Sequence, residues 1–199
     1  MSRAALFSVA AFLAVWLLGV FHARAQDAPP PEIADQVKLC STCHGAEGRP
    51  VVEDTPIIWG QEQYYLYVQM RDFQAGRRAS AIMDGIVADL SKDQMKALAK
   101  YFSQKTWPNM SFKAQEGDAA VANRMATAGQ CTQCHLGAYV GNSRVPRSAG
   151  QNARYLEKTM LDLKYKRRMN AADMASLMEA FPDEDIAAMA RYLASLQPH

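Results

Sequence analysis

Hydrophobic residues recur at three- and four-residue intervals along much of the chain, which is the spacing of an amphipathic α-helix. Two stretches carry the clearest stripes: Met95, Leu98, Ala99 and Phe102 between Asp93 and Gln104, and Ile186, Met189, Ala190, Leu193 and Leu196 between Asp183 and Leu196. Further helices are predicted from Glu62 to Phe73 and from Asn152 to Tyr165, and another leads into each cysteine-containing segment. No alternating run of useful length suggests a strand, so an all-α fold is expected.

The first 25 residues have a different pattern, typical of an export signal. Arg3 supplies a positive charge, residues 4–21 carry none, and Ala23-Arg24-Ala25 is a small-x-small cleavage site. An uncleaved membrane anchor is the alternative, because the eighteen residues 4–21 reach the lower limit for spanning a bilayer. We expect residues 1–25 to be removed as a signal peptide and the protein to be located in the periplasm.

Composition and charge narrow the possible classes of protein. The chain has 49% hydrophobic and 21% charged residues, as ordinary globular proteins do, which argues against disorder and against a multi-span membrane protein. Its formal charge of +2 is too small to suggest nucleic-acid binding. Without Arg3 and Arg24, 20 basic residues face 20 acidic ones, so the mature chain is formally neutral.

The mature chain contains one sequence unit twice. Cys40 and Cys131 are 91 residues apart, and an offset of 90 or 91 aligns many other residues. The aligned pairs include Pro56/Pro146, Gly60/Gly150, Gln61/Gln151, Tyr65/Tyr155, Leu66/Leu156, Arg77/Arg167, Arg78/Arg168, Met83/Met174, Asp93/Glu184 and Tyr101/Tyr192. We therefore expect two homologous domains, 26–106 and 117–199. Each is near the size at which a polypeptide core alone is marginal, so something besides side chains is expected to fill it.

The segment 107–116 is expected to be the linker between the two domains. Pro108 interrupts the helical pattern and Gly117 follows the segment. The linker also contains the large apolar residues Trp107, Met110 and Phe112, which suggests that it packs against the domains.

All four cysteines and two of the four histidines lie in two Cys-x-x-Cys-His motifs, Cys40 to His44 and Cys131 to His135. This is the attachment signature of c-type haem, in which two thiols bind the vinyl groups and the histidine faces the iron. A disulfide, a zinc site and a thioredoxin-like redox pair are the competing interpretations. Zinc pairs usually lie about 15 to 20 residues apart, and thioredoxin-like chemistry needs a βαβ setting. Two covalently attached haem c groups are therefore expected, on Cys40, Cys43, Cys131 and Cys134.

The number of histidines restricts the second axial ligand of each iron. His22 leaves with the signal peptide, and His44 and His135 are the proximal ligands, so only His199 remains. Bis-histidine ligation in both domains is therefore impossible. Methionine is the natural remaining ligand, because its soft thioether favours Fe(II).

Met83 and Met174 are the methionines that the repeat pairs, and both are expected in a loop or turn before the third helix of their domain. Most methionines simply fill cores. The repeat favours ligation for this pair. Met169 and Met178 are alternatives in the second domain, because the register slips by one residue before Met174.

Prolines and arginines near the motifs have two possible roles each. Pro56 and Pro146 can form turns, and their carbonyls can also accept the imidazole N–H of the proximal histidine. The pairs Arg77-Arg78 and Arg167-Arg168 can neutralise haem propionates or be solvated charges at a helix end. The basic run 164–168 can steer an acidic redox partner or be an ordinary solvated face.

The chain resembles the tandem diheme class I cytochromes c of the cytochrome c4 type over nearly the whole mature sequence. The resemblance is carried by the two cysteine motifs, by Pro56 to Gln61 with Tyr65-Leu66, and by Pro146 to Gln151 with Tyr155-Leu156. It implies two class I domains related by a pseudo-twofold, each wrapped around one haem, with His44 and Met83 on one iron and His135 and Met174 on the other. It also favours Pro56 and Pro146 as supports of the proximal histidines. Leu136, where the family has glycine, is a departure.

The resemblance also implies an electron-transfer function rather than catalysis. The expected partners are redox proteins: a respiratory donor complex or dehydrogenase, and a terminal oxidase or other acceptor. Peripheral membrane association is compatible with this function. A permanent diheme subunit of a dehydrogenase complex, such as a flavocytochrome, is the nearest alternative. A diheme enzyme, for example a peroxidase or thiosulfate dehydrogenase with one unusual sixth ligand, is a further one.

Overall fold

The computed structural model describes residues 28–197. The expected signal peptide, residues 1–25, and His199 lie outside this range. The chain forms two compact units, of which the first ends at Ala34 and the second begins at Asp35. Residues 28–34 include a 3₁₀ turn at Pro31–Ile33. The architecture below is that of the unit from Asp35 onward.

The described residues form α-helices and no β-sheet, with one isolated antiparallel bridge between Asn142 and Val145. The helices are α1 Ala34–His44, α2 Gln63–Gln74, α3 Met83–Val87, α4 Lys92–Ser103, α5 Asp118–Ala128, α6 Cys131–His135, α7 Ala153–Lys164, α8 Ala172–Glu179 and α9 Asp183–Ser195. The all-α expectation is confirmed. In the part of the chain that the structure describes, no helix is long and apolar enough to cross a membrane.

The four long predicted helices, α2, α4, α7 and α9, are present with ends within about one residue of the expected ones. Local chemistry explains where α4 starts: the Ser91 hydroxyl accepts a hydrogen bond from Gln94 N at 3.1 Å, and the Gln94 side chain accepts one from Ser91 N at 3.0 Å. This reciprocal capping box satisfies two backbone donors at the helix start. Helix α9 begins after Pro182 with three acidic residues in its first turn. Their negative charges interact favourably with the positive N-terminal end of the helix dipole.

The last three helices of each half pack in the same way. In the first half α2 packs against α4 and against α3, and in the second half α7 packs against α9 and α8, with α5 against α9. The stripe residues predicted for α4 and α9 are buried: Met95, Leu98, Ala99, Phe102, Ile186, Met189, Ala190 and Leu193. At the turn before α2 and α7, Gly60 N and Gly150 N each donate 2.8 Å hydrogen bonds, to Phe102 O and Leu193 O. The duplicated sequence therefore folds as two similar helical units.

The expectation that Met83 and Met174 lie in a loop or turn is wrong. Met83 is the first residue of the short helix α3, and Met174 lies within α8. The start of α3 is held by Ser80, whose hydroxyl accepts from Met83 N at 3.1 Å, and by Asp84, whose carboxylate accepts from Ser80 N at 3.0 and 3.1 Å. A five-residue helix has too few positions to show a hydrophobic period, so the pattern missed it.

The two halves also differ where the second cysteine motif begins. In the first half a single helix, α1, runs through the motif to His44. In the second half α5 ends at Ala128, and Gln130 has a positive φ of 51° before the short helix α6. The predicted helix leading into the second motif is α5, and it is separated from α6 because Gln130 takes a left-handed conformation that a helix cannot include.

Two glutamines join the halves through reciprocal hydrogen bonds. Gln151 accepts from Ile57 N at 2.7 Å and donates to Ile57 O at 2.9 Å. Its repeat partner Gln61 accepts from Arg147 N at 2.8 Å and donates to Arg147 O at 3.0 Å. Ile57 and Arg147 are themselves related by the offset of 90 residues, so the junction has the pseudo-twofold symmetry that the family implies. Both glutamines are buried, and each satisfies a backbone N–H and C=O that the junction removes from water.

The segment between α4 and α5 is non-helical, as expected for a linker, and it packs against the second half. Trp107 is 7% exposed and its indole N–H donates to Gly150 O at 3.3 Å. The Arg147 guanidinium lies 4.7 Å from the centre of the Trp107 ring, a cation–π contact. Phe112 packs against the core of the second half.

Candidate haem-binding sites

The first Cys-x-x-Cys-His motif forms the last turns of α1, and it ends with a buried imidazole. His44 is 9% exposed, and its Nδ1 lies 2.8 Å from the carbonyl oxygen of Pro56. A carbonyl oxygen only accepts, so Nδ1 carries the proton and donates it. Burial lowers the pKa of His44. The Nε2 lone pair of this neutral imidazole is therefore available to a metal.

The second motif has the same arrangement. Nδ1 of His135 lies 3.0 Å from the carbonyl oxygen of Pro146, and 3.4 Å from the Ser148 hydroxyl. Burial lowers the pKa of His135 as well. The same N–H to carbonyl contact, repeated in both halves, is the kind of second contact that orients metal-binding histidines.

All four cysteines lie in the described residues and none of them forms a disulfide. Each pair spans one helical turn, in α1 and in α6. Burial raises the pKa of the Cys40 thiol to about 11 and also raises the pKa of Cys131. The Cys40 and Cys131 thiols are therefore protonated near neutral pH, and all four cysteines are free for a covalent modification.

The residue after each histidine takes a left-handed conformation. Gly45 has a φ of 87°, and a Cβ at this position would lie 1.9 Å from Arg49 O, so only glycine fits. The equivalent residue Leu136 has a φ of 64° and a ψ of 166°, a region that is almost exclusive to glycine. A side chain there costs about 1–3 kcal/mol. The departure from the family pattern thus keeps the positive φ, at the cost of local strain.

The candidate methionine ligands differ in exposure. Met83 and Met174 are half-buried, and Met174 packs against the core of the second half. Of the two alternatives, Met169 is 70% exposed and Met178 is 2% exposed within that core. Met83 and Met174 thus keep equivalent positions, each near the start of the short helix that precedes the last helix of its half.

Two buried hydrogen-bond donors near the histidines have no partner among the described residues: Trp59 Nε1 and Arg147 Nη2. Trp59 follows Pro56 by three residues, and Arg147 directly follows Pro146. Buried donors are almost always satisfied, so each implies an acceptor that belongs to a bound group. The two propionates that every haem carries are anionic acceptors of the required kind. Together with free thiols and an available Nε2 in each half, these donors fit two haem c groups.

The four predicted arginines have protein partners. Arg77 Nε pairs with Asp72 at 2.8 Å, and Arg167 Nε pairs with Asp162 at 2.7 Å. In the rest of the basic run 164–168, Lys164 pairs with Asp183 and Lys166 with Glu179. The run is therefore largely neutralised by neighbouring carboxylates.

Arg78 and Arg168 reach across the junction between the halves. Arg78 Nη2 donates to the hydroxyl of Tyr155 at 3.2 Å, and Arg168 Nη2 donates to the hydroxyl of Tyr65 at 3.4 Å. Both arginines also donate to Gln69 Oε1, at 2.7 and 3.1 Å. Burial raises the pKa of Tyr65. Burial also raises the pKa of Tyr155, but Arg78 and Arg168 outweigh that effect and hold the pKa of Tyr155 at about 7.

Sequence reasoning assigned no role to Trp59, Arg147, Tyr65 or Tyr155, although all four lie in segments that carried the resemblance. The repeat could have indicated the two tyrosines, because the offset of 90 residues pairs Tyr65 with Tyr155 and also pairs the arginines that contact them. No sequence signal marked Trp59 and Arg147, since they are not equivalent to each other and only their burial without a partner distinguishes them.

Similar proteins are known. Cytochrome c4 of Pseudomonas aeruginosa is 32% identical over 94% of this chain and 97% of that protein. A thiosulfate dehydrogenase electron acceptor of Stutzerimonas stutzeri is 30% identical over 79% of this chain and 78% of that protein. The crystal structure of reduced recombinant cytochrome c4 from Pseudomonas stutzeri superposes with a TM-score of 0.75 at 27% identity, covering 85% of this chain and all of that chain. No family model matches the chain.

The helical fold, the two equivalent histidine and cysteine sites, and the identity over almost the full length agree with one another. The chain belongs to the cytochrome c4 family of electron-transfer proteins, with two tandem class I cytochrome c domains and two covalently bound haem c groups.

Proposed function

We propose that the chain carries electrons one at a time between redox proteins of the periplasm, through a haem on each domain. Cys40, Cys43 and His44 would hold the first haem with Met83 as the second axial ligand. Cys131, Cys134, His135 and Met174 would hold the other. The domain limits 26–106 and 117–199, with the linker 107–116, belong to this proposal.

The observation that carries the proposal is the repeated imidazole contact. Each histidine follows its second cysteine directly and donates Nδ1–H to a proline carbonyl, at 2.8 and 3.0 Å. This contact fixes the tautomer and leaves the Nε2 lone pair available, so Nε2 would bind the haem iron. When bound, a haem with His/Met ligation supplies an Fe(III)/Fe(II) couple whose coordination changes little with oxidation state.

Two further residues would stabilise the negative charge of the haem propionates. Trp59 and Arg147 offer buried donors to the propionates, whereas the four predicted arginines already have protein partners. Gly48 lets the Trp59 ring approach, because a Cβ there would lie 2.6 Å from the ring. With Met83 and Met174 as sixth ligands, both irons would be saturated and would leave no open coordination position for a substrate, as expected of a carrier rather than an enzyme.

The expected compartment and the relatives of the chain suggest two kinds of redox partner. Export by the signal at residues 1–25 would place the protein in the periplasm, between a respiratory donor complex and a terminal oxidase. A second candidate is an electron acceptor of a dehydrogenase, because a relative of 30% identity is a thiosulfate dehydrogenase electron acceptor. Both roles use the same two haem sites.

A redox titration of the purified holoprotein tests the carrier function. We expect two one-electron steps per chain, low-spin spectra in both oxidation states, and no reaction of the reduced protein with carbon monoxide, because methionine occupies each sixth position. Rapid carbon monoxide binding by one haem, together with turnover of hydrogen peroxide, would instead indicate a diheme enzyme.

A further inference from the structure

A groove at the junction of the two domains has a concentration of positive charge that the electron-transfer sites do not use. Its volume is about 400 Å³. Its lining includes residues of both halves: Tyr67, Arg71, Asp72, Arg77, Arg144 and Asn170. The groove therefore exists only when the two halves pack together.

Two of the three arginines of this groove, Arg71 and Arg144, have no carboxylate partner within residues 28–197. Arg71 donates to the hydroxyl of Tyr67 at 3.0 Å and lies 5.9 Å from the centre of its ring, which holds the side chain without a carboxylate. Arg144 is exposed and has no hydrogen bond or ion pair within residues 28–197. Arg77 contacts Asp72 through Nε. Asp72 is buried, pairs with Arg77 and also accepts from Asn170 Nδ2 at 2.7 Å, so the uncompensated charge of the groove belongs to Arg71 and Arg144.

The repeat provides an internal comparison for this groove. With the offset of 90 residues, the equivalents in the other repeat are Asp54 for Arg144, Leu161 for Arg71 and Glu157 for Tyr67. The groove contains three arginines and one carboxylate, a formal charge of +2. The equivalent positions carry two cations and three carboxylates, a formal charge of −1: Lys158, Arg167, Asp54, Glu157 and Asp162. The positive groove is thus a property of one face and not of the duplicated fold.

The floor of the groove connects directly to the junction between the domains. Asn170, which contacts Asp72, also donates to Gln69 Oε1 at 3.0 Å and accepts from Arg168 Nε at 2.9 Å. Arg168 in turn contacts Tyr65. A partner that docks here would therefore lie against the network that joins the two haem domains.

We propose that this groove is a docking site for the carboxylates of an acidic redox partner protein, and the proposal rests on the carrier function above. Guanidinium groups bind carboxylates with two parallel hydrogen bonds, and exposed ones also accelerate encounter with an acidic surface. The groove is open and holds more than ten water volumes of about 30 Å³ each, so a single small oxyanion would not fill it. Acidic side chains projecting from a protein surface match both the volume and the exposed position of Arg144.

Binding of a hexaglutamate peptide to the oxidised holoprotein at low ionic strength tests this proposal. Each of two variants introduces the residue found at the equivalent position of the other repeat: R144D corresponds to Asp54, and R71L corresponds to Leu161. R124D is the matched control, because Arg124 is exposed on α5, has no recorded partner within residues 28–197, and undergoes the same change of charge. We expect R144D to weaken binding about five- to tenfold and R71L about threefold, with less than twofold for R124D.

Oxidation of the reduced protein by hexacyanoferrate(III) gives an independent kinetic readout. Hexaglutamate should slow this reaction for the wild type and R124D, and should have little effect on R144D. Equal effects of R144D and R124D in the binding and kinetic experiments would overturn the docking site. Displacement of the peptide by sulfate, but not by chloride at the same ionic strength, would overturn the protein partner in favour of a small oxyanion.

The failure of this inference is distinguishable from a failure of the carrier function. The absorption spectrum and reducibility of the wild type are recorded before any peptide is added. A protein without two reducible haems contradicts the carrier function, whereas an R144D variant with normal spectra and unchanged peptide binding contradicts the docking site alone.

Discussion

The single variants Met83→Ala and Met174→Ala should each lose the His/Met charge-transfer band of one haem. Each should also have a lower reduction potential at that haem. The thioether stabilises Fe(II), so its loss favours Fe(III). We expect a decrease on the order of 0.1–0.3 V, within the roughly 0.8 V that axial ligands span. The other haem should keep its spectrum and potential, because each methionine serves one iron. Spectroelectrochemical titration of the two holoprotein variants measures both quantities.

Two control variants make this result specific. Met169 is 70% exposed, so Met169→Ala should change neither spectrum nor potential. Met178 is 2% exposed in the core of the second half, so Met178→Ala should lower stability while leaving the charge-transfer band intact. A lost band in the Met178 variant, with a normal band in the Met174 variant, would assign the second ligand to Met178.

Replacing Arg168 by methionine should lower the free energy of unfolding of the holoprotein by about 3–5 kcal/mol at pH 9. Arg168 is buried and donates hydrogen bonds to Asn170, Thr159, Tyr65 and Gln69. Its removal leaves several buried acceptors unsatisfied and removes a charge that lowers the pKa of Tyr155. Chemical denaturation measures the loss, and Arg78→Met, at the equivalent and less buried position, is the comparison variant with the smaller expected effect.

The loss should depend on pH in a defined direction. The pKa of Tyr155 is about 7 in the folded protein and about 10 when unfolded. Because the folded pKa is the lower one, the ionised phenol contributes stability that is fully present above about pH 10 and is lost as the pH falls through 7. The difference between wild type and the Arg168 variant should therefore be larger at pH 9 than at pH 6. An identical difference at both values would show that Tyr155 does not ionise in this range.

The long helices were predictable from sequence because each extends over three turns or more, which is long enough to show a hydrophobic stripe. The stripes of α4 and α9 place Met95, Leu98, Ile186 and Leu193 in the core, and the structure buries all four. The short helices α3 and α8 were not predictable in the same way. The start of α3 depends on Ser80, a residue without any helical pattern around it.

The residues of the haem sites were predictable to the extent that covalent chemistry fixes their spacing. Two cysteines one turn apart and a following histidine leave little freedom, and the repeat identified a candidate methionine in each half. The roles of Tyr65 and Tyr155 were not predictable, because they arise only when one domain contacts the other. The groove that contains Arg71 and Arg144 was not predictable for the same reason. Its lining residues come from both halves and meet only when the halves pack together.

Haem content is the most direct test of the central claim that each domain binds one haem c through its Cys-x-x-Cys-His motif. The pyridine haemochrome spectrum of the purified protein, set against its polypeptide concentration, gives the number of haems per chain and the type of attachment. Two haem c groups per chain, both retained after acid–acetone extraction, are the predicted result. One haem per chain, or loss of haem on extraction, would contradict the claim.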